Sequence, residues 1–199
     1  RKTITVAGYS VHVTGIAVDA SSNIVVSGYV DNGFIKTGIV IGLSALGAIL
    51  WQKYILSQYN YCMANSLSIV GAEVYVTGNL KAFSNSSKAI FLTKFDVATG
   101  ALIWQRVLES TEDISSVSID AGASIVLAGH VGTKLFVAKY STNGELMWQR
   151  SYGTRGTILS HSVTVSPSKI YIAGNISTSP QRGIVLCVTV STGDVAWSN

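Results

Sequence analysis

Four runs of β-branched and aromatic residues, each closed by a glycine, recur along the chain. They are Ile24-Val25-Val26-Ser27-Gly28, Val74-Tyr75-Val76-Thr77-Gly78, Ile125-Val126-Leu127-Ala128-Gly129 and Ile170-Tyr171-Ile172-Ala173-Gly174. Such residues suit a pleated, half-buried surface, and the glycine predicts a bend at the strand end. A second apolar run follows each one, at residues 39–43, 91–95, 136–140 and 186–190, and leads into Ser44, Asp96, Ser141 or Ser191. Next comes a glycine with a tryptophan four residues later: Gly47 and Trp51, Gly100 and Trp104, Gly144 and Trp148, Gly193 and Trp197. All four tryptophans of the chain obey this spacing. Glycine supplies the positive φ of a tight hairpin, and the tryptophan then sits on the returning strand. Shorter alternating runs at 15–19, 66–70, 115–120 and 162–166 read as first strands. No 3.6-residue period survives beyond about ten residues, so helix content should be near zero.

Each unit therefore reads as four antiparallel strands, repeating at 44 to 53 residues from Trp to Trp. A four-stranded sheet copied at that interval fits the blade of a β-propeller better than a sandwich, whose strands need no internal copy. The expected fold is all-β: one β-propeller domain over residues 1–199 with four four-stranded antiparallel blades. Their approximate bounds are 10–57, 58–110, 111–155 and 156–199, preceded by an N-terminal strand at 2–9. Nearly unbroken apolar third strands imply sheets buried on both faces.

The last unit stops at Trp197-Ser198-Asn199, where the third continues through Trp148-Gln149-Arg150-Ser151-Tyr152-Gly153. Counting back from the first unit by the same interval puts residues 2–9 in a fourth-strand position. Ile4-Thr5-Val6-Ala7-Gly8 also matches the second-strand pattern by residue type, but spacing favours the fourth. The expectation is that the N-terminal strand completes the terminal blade, since a bare apolar edge invites aggregation. Completion in cis closes a ring; completion in trans makes a dimer or an open head-to-tail assembly.

Composition narrows the setting. Charged residues are 12% of the chain against 48% hydrophobic, with many Ser, Thr, Gly and Val, as in secreted β-proteins, so an extracellular or cell-surface location is expected. The net charge of +4 comes from scattered Lys and Arg, with no basic stripe to hold phosphates, and nucleic acid is not an expected partner. Residues 37–52 are uncharged and contain Gly38-x-x-x-Gly42, yet they fall short of the roughly twenty residues a bilayer requires. They read as a hairpin, and no membrane span is expected. Cys62 and Cys187 fit neither a zinc spacing nor a disulfide framework and read as buried thiols.

The stretch Phe136-Val137-Ala138-Lys139-Tyr140-Ser141-Thr142-Asn143-Gly144, continued by Trp148 to Gly153, resembles the secreted bacterial and archaeal β-propeller repeats. Blades of that group end in Trp-Gln-Lys or Trp-Gln-Arg followed by Ser/Thr-Tyr-Gly. Asp96-Val97-Ala98-Thr99-Gly100-Ala101-Leu102-Ile103-Trp104 is similar to the PQQ-like blades of quinoprotein dehydrogenases and outer-membrane assembly propellers. Both resemblances imply a propeller, usually with more than four blades, and neither implies a particular activity.

Catalytic chemistry finds little support in the residues. Most of the ten carboxylates fall at turns or strand ends, where they hydrogen-bond local backbone. Glu109, Glu112 and Asp113 form the one acidic cluster, without the regular spacing of a calcium loop. His12, His130 and His161 lie in separate repeats, with no metalloprotease motif and no serine elbow. No catalytic residue, metal or cofactor is expected. Asn79, His130 and Asn175 each follow a second-strand glycine and read as bend ligands or as a polar ring.

Recognition is expected on the variable connections between second and third strands and between units. These carry Phe34, Tyr59, Tyr61, Phe83 and Arg155 as candidate contact residues, while Asn85 and Asn175 head glycosylation tripeptides. The expected function is a non-catalytic extracellular structural or interaction module, either a subunit of a cell-surface assembly or filament or an adhesin. Its partners would be copies of itself, through strand completion or blade pairing, and surface glycans or other surface proteins. Alternatives are a fragment of a quinoprotein-like or carbohydrate-active propeller enzyme and a glycan-binding lectin. Glycosylation at Asn85 predicts an intact mass above that of the bare chain in material from a glycosylating host, and a mass equal to the bare chain refutes it.

Overall fold

The computed structural model describes residues 3–55, 58–82, 88–110, 114–121, 124–153, 157–177 and 180–199. The chain forms two compact units, Arg1–Thr111 and Glu112–Asn199. The first unit holds β1 (Ser10–Val18), β2 (Ile24–Asp31), β3 (Lys36–Leu43) and β4 (Ile49–Tyr54), then β5 (Tyr61–Val70), β6 (Glu73–Lys81), β7 (Lys88–Asp96) and β8 (Leu102–Ser110). The second holds β9 (Ile114–Ala121), β10 (Ile125–Val131), β11 (Lys134–Tyr140) and β12 (Leu146–Tyr152), then β13 (Thr157–Val165), β14 (Lys169–Ser177), β15 (Arg182–Thr189) and β16 (Val195–Ser198). Every described strand falls in one of four antiparallel meanders of four, in sequence order. A single parallel bridge, Lys36 to Tyr61, joins the first two.

Residues 37–52 form the β3–β4 hairpin, as their length required, and no helix among the described residues is long and apolar enough to cross a membrane. Strands β3, β7 and β11 are buried along most of their length, on both faces. In the first unit Val25, Val40 and Trp51 of one meander pack on Val74, Val76, Phe91 and Phe95 of the next. In the second, Val126, Ala128 and Val137 pack likewise on Ile170, Ile172, Leu186 and Val188. Cys62 in β5 and Cys187 in β15 are free, buried thiols, and burial pushes Cys62 up to about 12.

Two expectations are corrected. The recurring glycines do not end their strands: Gly28 and Gly78 lie inside β2 and β6, opposite a β-bulge in β1 and β5. Gly129 and Gly174 occupy the matching positions beside register shifts in the second unit. At the bulge the first-strand backbone crowds its partner. A Cβ on Gly28 would lie 1.9 Å from the His12 carbonyl oxygen, and one on Gly78 equally close to that of Met63. The bulge also explains why the first strands are longer than their alternation implied. The extra residue, Thr14 or Asn65, inverts the period, so only the stretch after it reads as a clean strand.

The second correction concerns closure. The sheets are open: β16 itself supplies the fourth strand of the last meander and pairs with β15. Within its own unit the N-terminal segment turns back on itself at Val6–Tyr9 and lays Ile4 and Val6 on Val30, Ile39 and Ile41 of the first meander.

The bulge predicts an asymmetry between glycines. Gly78→Ala should cost at least about 2 kcal/mol, because the clash is with backbone that cannot swing away. Gly71→Ala, at an open turn with φ 58° and nothing near its would-be Cβ, should cost only about 1 kcal/mol. Urea denaturation with an unchanged m-value measures both.

Candidate functional site

Two surfaces gather the residues that recognition could use. The first is the loop end of the first unit, where the β2–β3 and β4–β5 connections meet: the Lys36 N–H donates to the Asn60 carbonyl at 3.0 Å beside the Lys36–Tyr61 bridge. Residues 32–35 are held by short-range side-chain bonds. Asn32 Oδ1 accepts from the Phe34 and Ile35 amides at 3.0 and 2.8 Å, and Asp31 Oδ1 accepts from the Gly33 amide at 2.7 Å. Gly33 takes φ 89°, and Phe34 is thereby displayed with 74% of its surface exposed. Beneath the loop, His12 and Tyr29 stack with centroids 4.6 Å apart, and Lys36 Nζ lies 5.0 Å over the Tyr29 ring and 3.5 Å from Asp31. The Gly33 amide first, and the Lys36 ammonium with it, hold the Asp31 carboxyl below its ordinary value against desolvation.

Of the sequence candidates, Phe34 and Tyr61 thus share one end of the first unit. Tyr59 lies between them in sequence but packs, half-buried, against the core of the first unit, as a loop anchor. Asn175 sits inside β14, half-buried between β13 and β15. Phe83, Asn85 and Arg155 lie outside the described residues, as do Glu112 and Asp113. Asn79 and His130 are buried. Among the described residues no group of three or more His, Cys, Asp or Glu side chains is placed to hold a metal ion. The His12–Tyr29–Lys36 arrangement escaped sequence reading because its members lie on three strands that only the β1–β2 and β2–β3 registers bring together.

The second surface is built from the tryptophans. Trp51 is 8% exposed and seats on the turn of the following meander: its indole N–H donates to the Val97 carbonyl at 2.9 Å, and a Cβ on Gly100 would lie 2.5 Å from its ring. The same joint recurs in the second unit. Trp148 donates to the Val190 carbonyl at 3.0 Å, a Cβ on Gly193 would lie 2.9 Å from its ring, and Tyr152 hydroxyl donates to the Gly193 carbonyl. Positive φ and the missing Cβ are therefore both needed at Gly100 and Gly193, for the turn and for the indole. Trp104 packs on Tyr75 at 6.2 Å with Arg106 over its ring. Trp197 breaks the pattern: it is 47% exposed, with Tyr171 6.3 Å away and Val185 and Val195 exposed on the same two strands as Cys187 and itself.

A family profile described as outer membrane protein assembly factor BamB, built of PQQ-like repeats, matches residues 7–199. The chain belongs to this PQQ-like repeat family. No curated protein matches it. Solved structures similar to this PQQ-like chain include quinohemoprotein alcohol dehydrogenase from Comamonas testosteroni, with TM-score 0.61 and 11% identity over 96% of this chain and 35% of that one. The Dos1 propeller matches at TM-score 0.60 and 13% identity over 94% and 47%. The β-propeller domain of the Trilobed protease from Pyrococcus furiosus, described as having an open velcro topology, matches at 0.57 and 10% over 97% and 58%. These likenesses show a propeller-like all-β fold; the PQQ-like chain spans 35% to 58% of the length of the three structures.

The joint makes tryptophans in equal register energetically unequal. Trp51→Ala should destabilise the chain by about 3–5 kcal/mol, through lost packing and an orphaned carbonyl. Trp197→Ala should cost less than about 1 kcal/mol. Equal losses in denaturant titration would refute the seating.

Proposed function

We propose that this chain is a non-catalytic interaction module whose four meanders act as four propeller blades and whose outer faces bind other proteins in an extracellular or cell-surface assembly. The observation that carries this reading is the exposed aromatic face of the last meander. Trp197 stands 47% exposed there, in the register at which Trp51 is sealed, with the half-buried Tyr171 beside it. An indole half in water beside exposed valines is apolar area left for a partner, and Trp and Tyr are the residues that anchor interfaces.

The buried polar groups support the same view, since those with described partners serve local structure. Lys94 is nearly sealed and pairs with Glu73 at 2.5 Å, which also accepts from Tyr75 hydroxyl at 2.6 Å. Thr77 donates to the Phe91 carbonyl at 2.8 Å, and Lys139 Nζ to the Val190 carbonyl at 3.2 Å. The rigid Phe34 loop above the His12–Tyr29 stack offers a second contact area suited to a surface glycan or an acidic loop.

Ligand-dependent stability tests the non-catalytic part. Adding pyrroloquinoline quinone with calcium should leave the melting temperature of the purified chain unchanged. A saturable rise of several degrees would establish a quinone site and overturn the reading.

A further inference from the structure

Each unit holds a joint between its two meanders, built on the same turn but finished by different side chains. The Gly100 amide donates to the Asp96 carbonyl and the Gly193 amide to the Thr189 carbonyl, both at 2.9 Å. The Asp96 and Thr189 amides donate in turn to the Ala101 and Asp194 carbonyls, again at 2.9 Å, and the indoles of Trp51 and Trp148 bond the Val97 and Val190 carbonyls. Four residues after each tryptophan the joints part company. In the second unit Tyr152 pairs with Leu135 and donates its hydroxyl to the Gly193 carbonyl. In the first, Ile55 stands at that position, its amide donating to the Gly38 carbonyl at 2.8 Å. Gly38 leaves room where Leu135 fills it, and Ile55 turns inward: a Cβ on Gly38 would lie 3.1 Å from Ile55 Cδ1 and 2.9 Å from Cys62 Sγ. The space that a phenol occupies in the second unit therefore stays open in the first.

What remains is a cleft of about 200 Å³ between consecutive meanders of one unit, lined by Ile55, Phe95, Leu102, the Gly100 turn, Lys53 and Gln105. Ile55 and Phe95 are buried and make its floor apolar. Among the described residues no donor reaches the Gly100 carbonyl, the counterpart of the one that Tyr152 bonds. Lys53 is exposed, makes no ion pair or hydrogen bond with a described residue, and is the one charged side chain among the described residues that line the cleft. An apolar cavity of about 150 Å³ already admits a benzene ring. We propose that this cleft binds a small phenolic acid: its ring lies on Ile55 and Phe95, its hydroxyl donates to the Gly100 carbonyl, and its carboxylate meets the Lys53 ammonium. The chain supplies its own precedent for the fit, since Tyr152 lays a phenol against the same turn in the second unit. Charge complementarity selects an acid, because an uncompensated ammonium beside an apolar floor favours an anion with an apolar body. The site lies within a joint and not on the outer faces of the interaction-module reading, and neither depends on the other.

Amide correlation NMR spectra of the full chain, titrated with 4-hydroxybenzoate, benzoate and phenol at neutral pH, test it. 4-Hydroxybenzoate should shift the Gly100, Ala101 and Leu102 signals saturably. Benzoate lacks the donor and phenol the charge, so each should bind about fivefold more weakly, the effect of one hydrogen bond or one solvent-exposed ion pair. K53Q, a change at an exposed side chain, should lower 4-hydroxybenzoate to the affinity of phenol and leave phenol itself unaffected. I55Y should fill the cleft from within, as Tyr152 does in the second unit, and remove the binding of all three; far-UV circular dichroism checks that it folds, and K53Q decides alone if it does not. Four results overturn the site: no saturable shift with 4-hydroxybenzoate, shifts that avoid the Gly100 turn, benzoate binding as tightly as 4-hydroxybenzoate, or K53Q weakening phenol as much as the acid.

Discussion

A four-stranded sheet with two apolar faces cannot bury either by itself. Strands β3, β7 and β11 are lined on both sides by Val, Ile, Leu and Phe, so each meander requires a neighbour, and stacking of like units supplies it. The indole on a glycine turn fixes where that neighbour sits. Trp51 on Gly100 and Trp148 on Gly193 combine a large apolar area, a hydrogen bond to a turn carbonyl and a contact that even one methyl group would obstruct. Dispersion contacts alone would allow sheets to slide over each other. The directional N–H bond and the close approach remove that freedom.

A second backbone constraint works inside each meander. The bulge in β1 and β5 turns a carbonyl toward the second strand, and only glycine leaves room for it. Thr14, the extra residue of the first bulge, uses its hydroxyl on the Ser27 and Ala64 carbonyls, tying its bulge to that of the next meander. First strands are thereby anchored side by side in the first unit. Fourth strands remain at the outside, where Ile49, Leu50, Leu102 and Ile103 are exposed.

The division of labour follows from this frame. Side chains on the inner faces are committed to packing, and buried lysines are committed to Glu73 and to the Val190 carbonyl. Chemistry open to solvent is left to the loop end and to the faces that no neighbouring meander covers. A blade repeat is a packing grammar on which sites are grafted, so function must be argued from these surfaces and not from the blade.

The strand content, the four-fold repeat, the hairpin at 37–52 and the burial of both cysteines were legible in the sequence. Each depends on local periodicity and residue type, which a chain carries whether folded or not. The first-strand starts were not legible, because a bulge reverses the alternation that reveals a strand. Nor was the stacking of His12 on Tyr29, which exists only through register. Four tryptophans identical in spacing proved different in environment. Sequence determined that each would face out of its sheet, since that follows from the two-residue period of a strand. Whether a glycine turn lay waiting opposite was decided by the tertiary structure, because a seat for an indole is made by another sheet, as the Gly100 turn makes one for Trp51 and the Gly193 turn for Trp148.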